Sequence, residues 1–560
     1  MSLKSILVGS AAVLVLAIFA GPRLIAADPT VADSAMVGDT AAIRALLAQH
    51  ADINAPQADG ATALHWSVYR NDFALAKLLI EAGANVRAAN RDGATPLSLA
   101  ATTGNAEIIA TLLGAGASPN EKLPFGQTAL MLAARNGNPA ALKALLDHGA
   151  DVNAKEDLRG TTPLMWAADE AHPDAVKLLI DHGADVKARS AAAARGRGPA
   201  LGKAGDPRKQ QARGAVQADA AAGGQGQAAA AQTQFDREGP ADGGQLTALV
   251  YAARTNDLES VKILLAAGAD VNQTTGYGWS PLLVATQNRH YKLAAYLLEH
   301  GANPDLANNG GWTPLYLATD NRNIENGDYP VRKADMDHLD FIKLLLDKGV
   351  DVNNRVQDST ETRTVFTNQW LDERGATAFL RASQSGDLLL MKALLAHGAD
   401  PRIPTELNVT ALQVAAGIGW VEGVTTEWSE AANLEAVKLL LDLGVDPNVQ
   451  AETGRTALHG AAHKGRTAVI QLLVDAGARL DTKDYGMVGN DAGGRLKAHT
   501  WQPVDYADGL VRVGVQSAIA HPAAGLLLRK LMTERGLEAP PVGRTLDSVC
   551  IVGELCDDVQ

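Results

Sequence analysis

The sequence predicts an all-α repeat solenoid of about twelve units, each a helix-turn-helix followed by an extended finger. Three observations carry this. A landmark of Thr or Ser, then Ala or Pro, then a large apolar residue recurs at Thr62, Thr95, Thr128, Thr162, Thr247, Ser280, Thr313, Thr377, Thr410 and Thr456, and six of the nine spacings are 33 or 34 residues. A second landmark, Gly followed by Ala or Val, comes 21 residues after the first in most units. Between the two, apolar residues fall at helical spacing while only 4% of the chain is aromatic, which suits thin helices packed closely. A unit of this size cannot bury its apolar face alone, so the period implies stacked neighbours sharing one core.

The stretch from Gly126 to Ala154, GQTALMLAARNGNPAALKALLDHGADVNA, shows how each part arises. Thr128 suits an N-cap, because its hydroxyl accepts from a backbone N–H otherwise unpaired at a helix start. Leu130, Met131 and Leu132 follow, and Gly137 breaks the first helix. Pro139 opens a second helix, on which Leu142, Leu145 and Leu146 share one face, and Gly149 ends it in the left-handed conformation. Asp151, Val152 and Asn153 lead into the finger.

A period of 33 with Thr-Pro-Leu and Gly-Ala-Asp-Val-Asn in phase resembles the ankyrin repeat. The resemblance spans roughly residues 29 to 538 and implies protein binding through the concave face. The family's His after the landmark Leu is kept only at His65 and His459.

Ahead of the repeats, Lys4, an apolar run from Ile6 to Ala20 and small residues at Ala26 and Ala27 read as a signal peptide over 1–27, with a retained anchor as the alternative. The formal charge of −13, or −15 without Lys4 and Arg23, argues against a nucleic-acid footprint. Counting back 21 residues from His50 starts the first unit at Pro29, with Asp33 and Ser34 expected to face solvent as a polar end-cap. The organisation expected is repeats one to five over 28–190, a low-complexity insertion over 191–244, repeats six to twelve over 245–538 and a tail over 539–560. The insertion is Ala, Gly and Gln with almost no large apolar side chain, and is expected to be disordered. Shorter insertions separate the two helices near 321–336 and 418–433. Cys550 and Cys556 are the only cysteines, and in an exported chain they are expected to pair and to contribute little to the solenoid.

No nucleophile elbow, P-loop, zinc-protease or dinucleotide motif is present, so neither an enzyme nor a cofactor is expected. His459 and His463 stand four apart, but His459 holds the family's structural position and no third ligand is visible, so no metal is expected. Trp66, Trp166, Tyr251 and Tyr506 fall where the family buries an apolar side chain and are expected in the core. The family's binding positions, finger tips and inner-helix ends, map to Phe125, Tyr277, Trp279 and Trp312 and to residues including Arg135, Arg254, Gln287 and Asn288. The fingers between Gly183 and Thr247, Gly349 and Thr377, and Gly477 and Gln502 are long, those of repeats five, eight and eleven, and Tyr277, Trp279 and Trp312 are expected to form one exposed aromatic strip walled by them. The function expected is an exported scaffold, periplasmic or secreted, that binds another protein. A secreted effector acting on a host target and an accessory or inhibitor of a periplasmic enzyme are the alternatives. No nucleic-acid partner is expected, nor a membrane span after leader cleavage.

Overall fold

The computed structural model describes residues 30–193, 243–323, 333–357, 371, 373–420, 427–485, 500–511 and 519–544. The leader, the bulk of the long insertion (194–242) and both cysteines lie outside these residues. What is described is an all-α repeat solenoid of 24 α-helices, alternating between an inner and an outer helix of each repeat. A two-residue antiparallel bridge pairs Ala192 with Gly244 and Ala193 with Gly243. It brings the two ends of the long insertion together, and Ser190 N donates to Leu246 O at 2.9 Å just beneath it. The repeats on either side therefore stack as though the insertion were absent.

Two compact units are distinguished, one through Pro124 and one from Phe125 onward. The first holds helices Val31–Val37, Thr40–Ala48, Ala63–Tyr69, Phe73–Glu81, Pro96–Thr103 and Ala106–Gly114. Its inner helices stack in order, with Ile43, Leu64, Leu79, Ile108 and Leu112 fully buried between layers. The second continues the pattern from Ala129–Asn136 to Pro522–Glu534.

Each inner helix starts as the landmark requires. Thr95, Thr128, Thr162, Thr247, Thr313, Thr377 and Thr410 are N-caps in extended conformation, each accepting from the N–H three residues on. His65 and His459 serve the same end. His459 Nδ1 accepts from Thr456 N at 3.0 Å and its Nε2 donates to Trp501 O at 3.1 Å, so both ring nitrogens are committed. Where the His is replaced, other side chains take over. Ser98 Oγ accepts from Thr95 N at 2.9 Å, and Gln413 accepts from Thr410 N while donating to Val449 O and Arg455 O in the next finger.

The first repeat departs from expectation by one residue and in its polar positions. Thr30, not Pro29, caps its inner helix, and Asp33 closes a capping box with it. Asp33 also accepts from Gln57, and these hydrogen bonds hold its carboxyl below the usual range. Ser34 is buried rather than facing solvent.

Candidate partner-binding face

In every repeat the residue seven places after the landmark Thr lies near the end of the inner helix, where it either faces solvent or is covered. In the second unit the outcome changes along the stack. Arg135 and Arg254 are exposed and Asp169 half-exposed. Gln287 is half-buried, and Asp320, Gln384 and His463 are buried at 8, 4 and 8% exposure. The face is open over helices Ala129–Asn136, Pro163–Asp169 and Ala248–Thr255, and closed from Pro314–Arg322 onward.

The open stretch contains a cleft of about 290 Å³ lined by Arg135, Glu156, Leu158, Arg159, Met165, Trp166, Asp169, Glu170 and Tyr251 among others. Its floor is built from the finger upward. Glu156 is buried and its carboxylate accepts from Leu158 N, Arg159 N, Thr161 N and Thr161 Oγ1 at 2.7 to 2.9 Å. Burial pushes this carboxyl up, but the four hydrogen bonds outweigh it and leave it below the ordinary range. Thr161 Oγ1 in turn accepts from Trp166 Nε1 at 2.8 Å, which fixes the half-buried indole across the floor. Tyr251 forms the next step. Its burial raises the phenol pKa, with Asp169 adding to the effect, and the Arg254 guanidinium lies 5.0 Å over its ring.

The rim is charged and cross-linked between repeats. Arg254 pairs with Asp169, and Arg135 lies 3.6 Å from Glu170. These exposed pairs are worth little to stability, and their cost of opening to a partner is correspondingly small. The helix ends beneath them are rigid. His172 Nε2 donates to Arg135 O at 3.0 Å and His290 Nε2 to Arg254 O at 3.2 Å. His172 fits there because Gly137, at φ +81°, carries no side chain: a Cβ would stand 2.4 Å from the imidazole.

At the finger edge Phe125 is 61% and Leu158 67% exposed, and Asp157 N donates to Phe125 O at 2.8 Å, holding the two fingers side by side. Phe125 sits at φ +61°, a left-handed conformation that a bulky side chain rarely adopts.

Several expected site residues are placed elsewhere. Trp312 is 1% exposed, stacked edge-on at 4.9 Å with Tyr316 and enclosed by Leu283, Val356 and Leu371. Trp279 packs against the same cluster and Tyr277 is half-buried, so the expected aromatic strip does not exist as a surface. The physical reason is the finger insertion before Thr377: its returning end joins that cluster at Leu371, filling what it was expected to wall. Asn288 is half-buried and donates to Val284 O within its own helix. Conversely Trp66 and Trp166, expected in the core, are half-exposed, while Tyr251 and Tyr506 are buried as expected. For Trp166 the core expectation overlooked one signal: it precedes Asp169 and Glu170 by three and four residues, which puts all three toward one helix face. Glu156, Leu158 and Arg159 carried no such signal.

A stack of helix pairs joined by fingers defines a repeat scaffold. Among the described residues no group of three His, Cys, Asp or Glu side chains is placed to hold a metal, and no helix is long and apolar enough to cross a membrane. The chain belongs to the ankyrin-repeat family: the family profile described as Ankyrin repeats (3 copies) matches residues 32–123, 111–190, 249–356 and 428–492, together more than half of the chain. It is also 30% identical over 169 residues, 30% of this chain, to a mitochondrial disaggregase of Bos taurus. The aligned part spans 21% of that protein.

Proposed function

We propose that this chain is an exported ankyrin-repeat scaffold that binds another protein on the open face of helices Ala129–Asn136, Pro163–Asp169 and Ala248–Thr255. The observation that carries this reading is the reversal of exposure along one set of equivalent positions, open at Arg135 and Arg254 and buried at Asp320, Gln384 and His463. Phe125 and Leu158 at the edge supply apolar contact area, Trp166 and Tyr251 the floor, and Arg135 and Arg254 the adjustable rim. Aromatic and Arg side chains in such a setting are where interface energy concentrates. Export rests on the n-region, apolar run and small residues of 1–27. The likeness to a disaggregase covers too little of that protein to carry its activity here.

Capture from the periplasm with mass spectrometry identifies the partner, and titration of that protein tests the face. Trp166→Ala and Phe125→Gly are each expected to weaken binding by about 2 kcal/mol or more, with helicity and cooperative melting retained. A partner that binds both variants as tightly as the parent chain removes this face from consideration. Fractionation with N-terminal sequencing tests export, and a cytosolic chain beginning at Met1 rejects it.

A further inference from the structure

From Pro314–Arg322 onward the inner-helix ends are covered by the chain itself, and one cover is built differently from the rest. Glu427 and Trp428 belong to the segment inserted between inner helix Ala411–Ala416 and outer helix Glu430–Asp442. Glu427 Oε1 accepts from Lys464 Nζ at 2.9 Å and Oε2 from Arg466 Nη2 at 2.9 Å. Trp428 N donates to Ser385 O at 3.2 Å, its Nε1 donates to Asn323 Oδ1 at 2.8 Å, and the Arg322 guanidinium lies 4.5 Å over its ring. Two adjacent residues thus fasten onto the repeats that open at Thr313, Thr377 and Thr456, none of them their own. On the other arm of the insertion Trp420 receives the Lys464 ammonium at 5.5 Å from its ring centroid.

What lies beneath is a built polar ledge. The side chains of Lys464 and Arg322 are 1% and 8% exposed, and Lys464 has Glu427 as its carboxylate partner. Trp428 itself remains 48% exposed, so its outer face is open to approach. The repeats opening at Thr128 and Thr162 complete the landmark-to-Gly distance in 21 residues with no such strap. Lifting the strap strips Lys464 of its carboxylate and Arg322 of its ring. Arg322 keeps its ion pair with Asp387, and a partner group of the same chemistry restores both the carboxylate on Lys464 and the ring on Arg322.

We propose that this ledge is a second protein-binding site, held shut by Glu427–Trp428, and that it accepts a partner segment presenting a carboxylate beside an aromatic ring. It is independent of the open face described above. The strap acts as an intramolecular ligand, and a partner gains entry by competing with it.

The test uses a synthetic peptide spanning residues 418–433 and a chain from which residues 419–431 are deleted. The deletion removes 13 residues, restores the 21-residue spacing and places Asn433 ten residues after Thr410, where Asn105 and Asn138 cap the outer helices of their repeats. The deleted chain is expected to bind the peptide one to one. The parent chain should bind it at least about tenfold more weakly, since a tethered ligand competes at roughly millimolar effective concentration. Peptides carrying Trp428→Ala or Glu427→Lys should each lose about tenfold or more. A helical, cooperatively melting deleted chain that does not bind the peptide overturns the proposal, as does equal binding by deleted and parent chains. Should the deleted chain not fold, the full chain with Glu427→Lys takes its place. That chain should take up the parent peptide, and its failure to do so is equally decisive.

Discussion

The histidines show how strongly single side chains here depend on burial. His338, His459 and His463 are each lowered to about 4, in every case chiefly by burial that disfavours the imidazolium. The unfolded chain binds these protons near pH 6.5. Their contribution is therefore fully present above about pH 6.5 and is lost as pH falls toward about 4. His463 isolates the effect, since its Nε2 has no hydrogen-bond partner among the described residues and replacement breaks no bond there. Denaturant titrations of His463→Gln between pH 4 and 7 should show a slope smaller by up to about 1.4 kcal/mol per pH unit, and an unchanged slope contradicts the assignment. Glu156 is a second residue-scale case. Glu156→Ala leaves three backbone N–H groups without their acceptor and is expected to cost about 2 to 3 kcal/mol in urea unfolding. The same change should also loosen Trp166, seen as a red shift of fluorescence.

Among the elements, helices were legible in detail and their covering was not. Thr at the N-cap states where nearly every inner helix begins, and in some repeats Pro at the first turn and Gly or Asn at the close add to it, because these are local satisfactions of backbone groups. The first repeat shows the precision available, one residue between Pro29 and Thr30. The junction of Pro314–Arg322 with Ala378–Gln384 is different in kind. Arg381 pairs with Asp320 at 2.9 Å and Arg322 with Asp387 at 2.7 Å, the latter pair 8% and 2% exposed, across 61 and 65 residues of sequence. Asp387→Ala strands Arg322 and removes an acceptor from Asn323, and should cost about 3 to 5 kcal/mol. Arg135→Glu on the open face should stay within about 1 kcal/mol. Thermal denaturation of the two side by side separates a structural ion pair from a binding rim, and equal shifts contradict the distinction.

For the whole second unit, the tail matters more than its composition suggested. Arg529 forks onto both carboxylate oxygens of Asp508 at 2.6 and 2.8 Å while donating to Pro540 O and Pro541 O. Arg544 reaches back to Asp505 at 2.6 Å and Asp508 at 2.8 Å. Residues 540–544 thereby clasp the final helix pair, which has no following repeat among the described residues to bury its outer side. Truncation after Glu538 should lower hydrogen-exchange protection in Pro522–Glu534 while leaving Ala129–Asp181 unchanged, as nearest-neighbour stability in a repeat array requires. Uniform loss along the chain, or none, contradicts the clasp.

The fold class, the repeat period and the starts of nearly every inner helix follow from the sequence alone. Each depends on contacts within a repeat or with the next one, so the information recurs every 33 residues. The tertiary structure alone decided which stretch of the inner-helix ends remains open. Trp279 and Trp312 each precede a landmark at a finger tip, as Phe125 lies near one, yet Leu371 returns from an insertion to the cluster that encloses Trp312 and holds Trp279 while Phe125 stays 61% exposed. An insertion's length is written in the sequence, but where its ends settle depends on which neighbouring side chains can satisfy them, as Asn323, Lys464 and Arg466 do for Glu427 and Trp428.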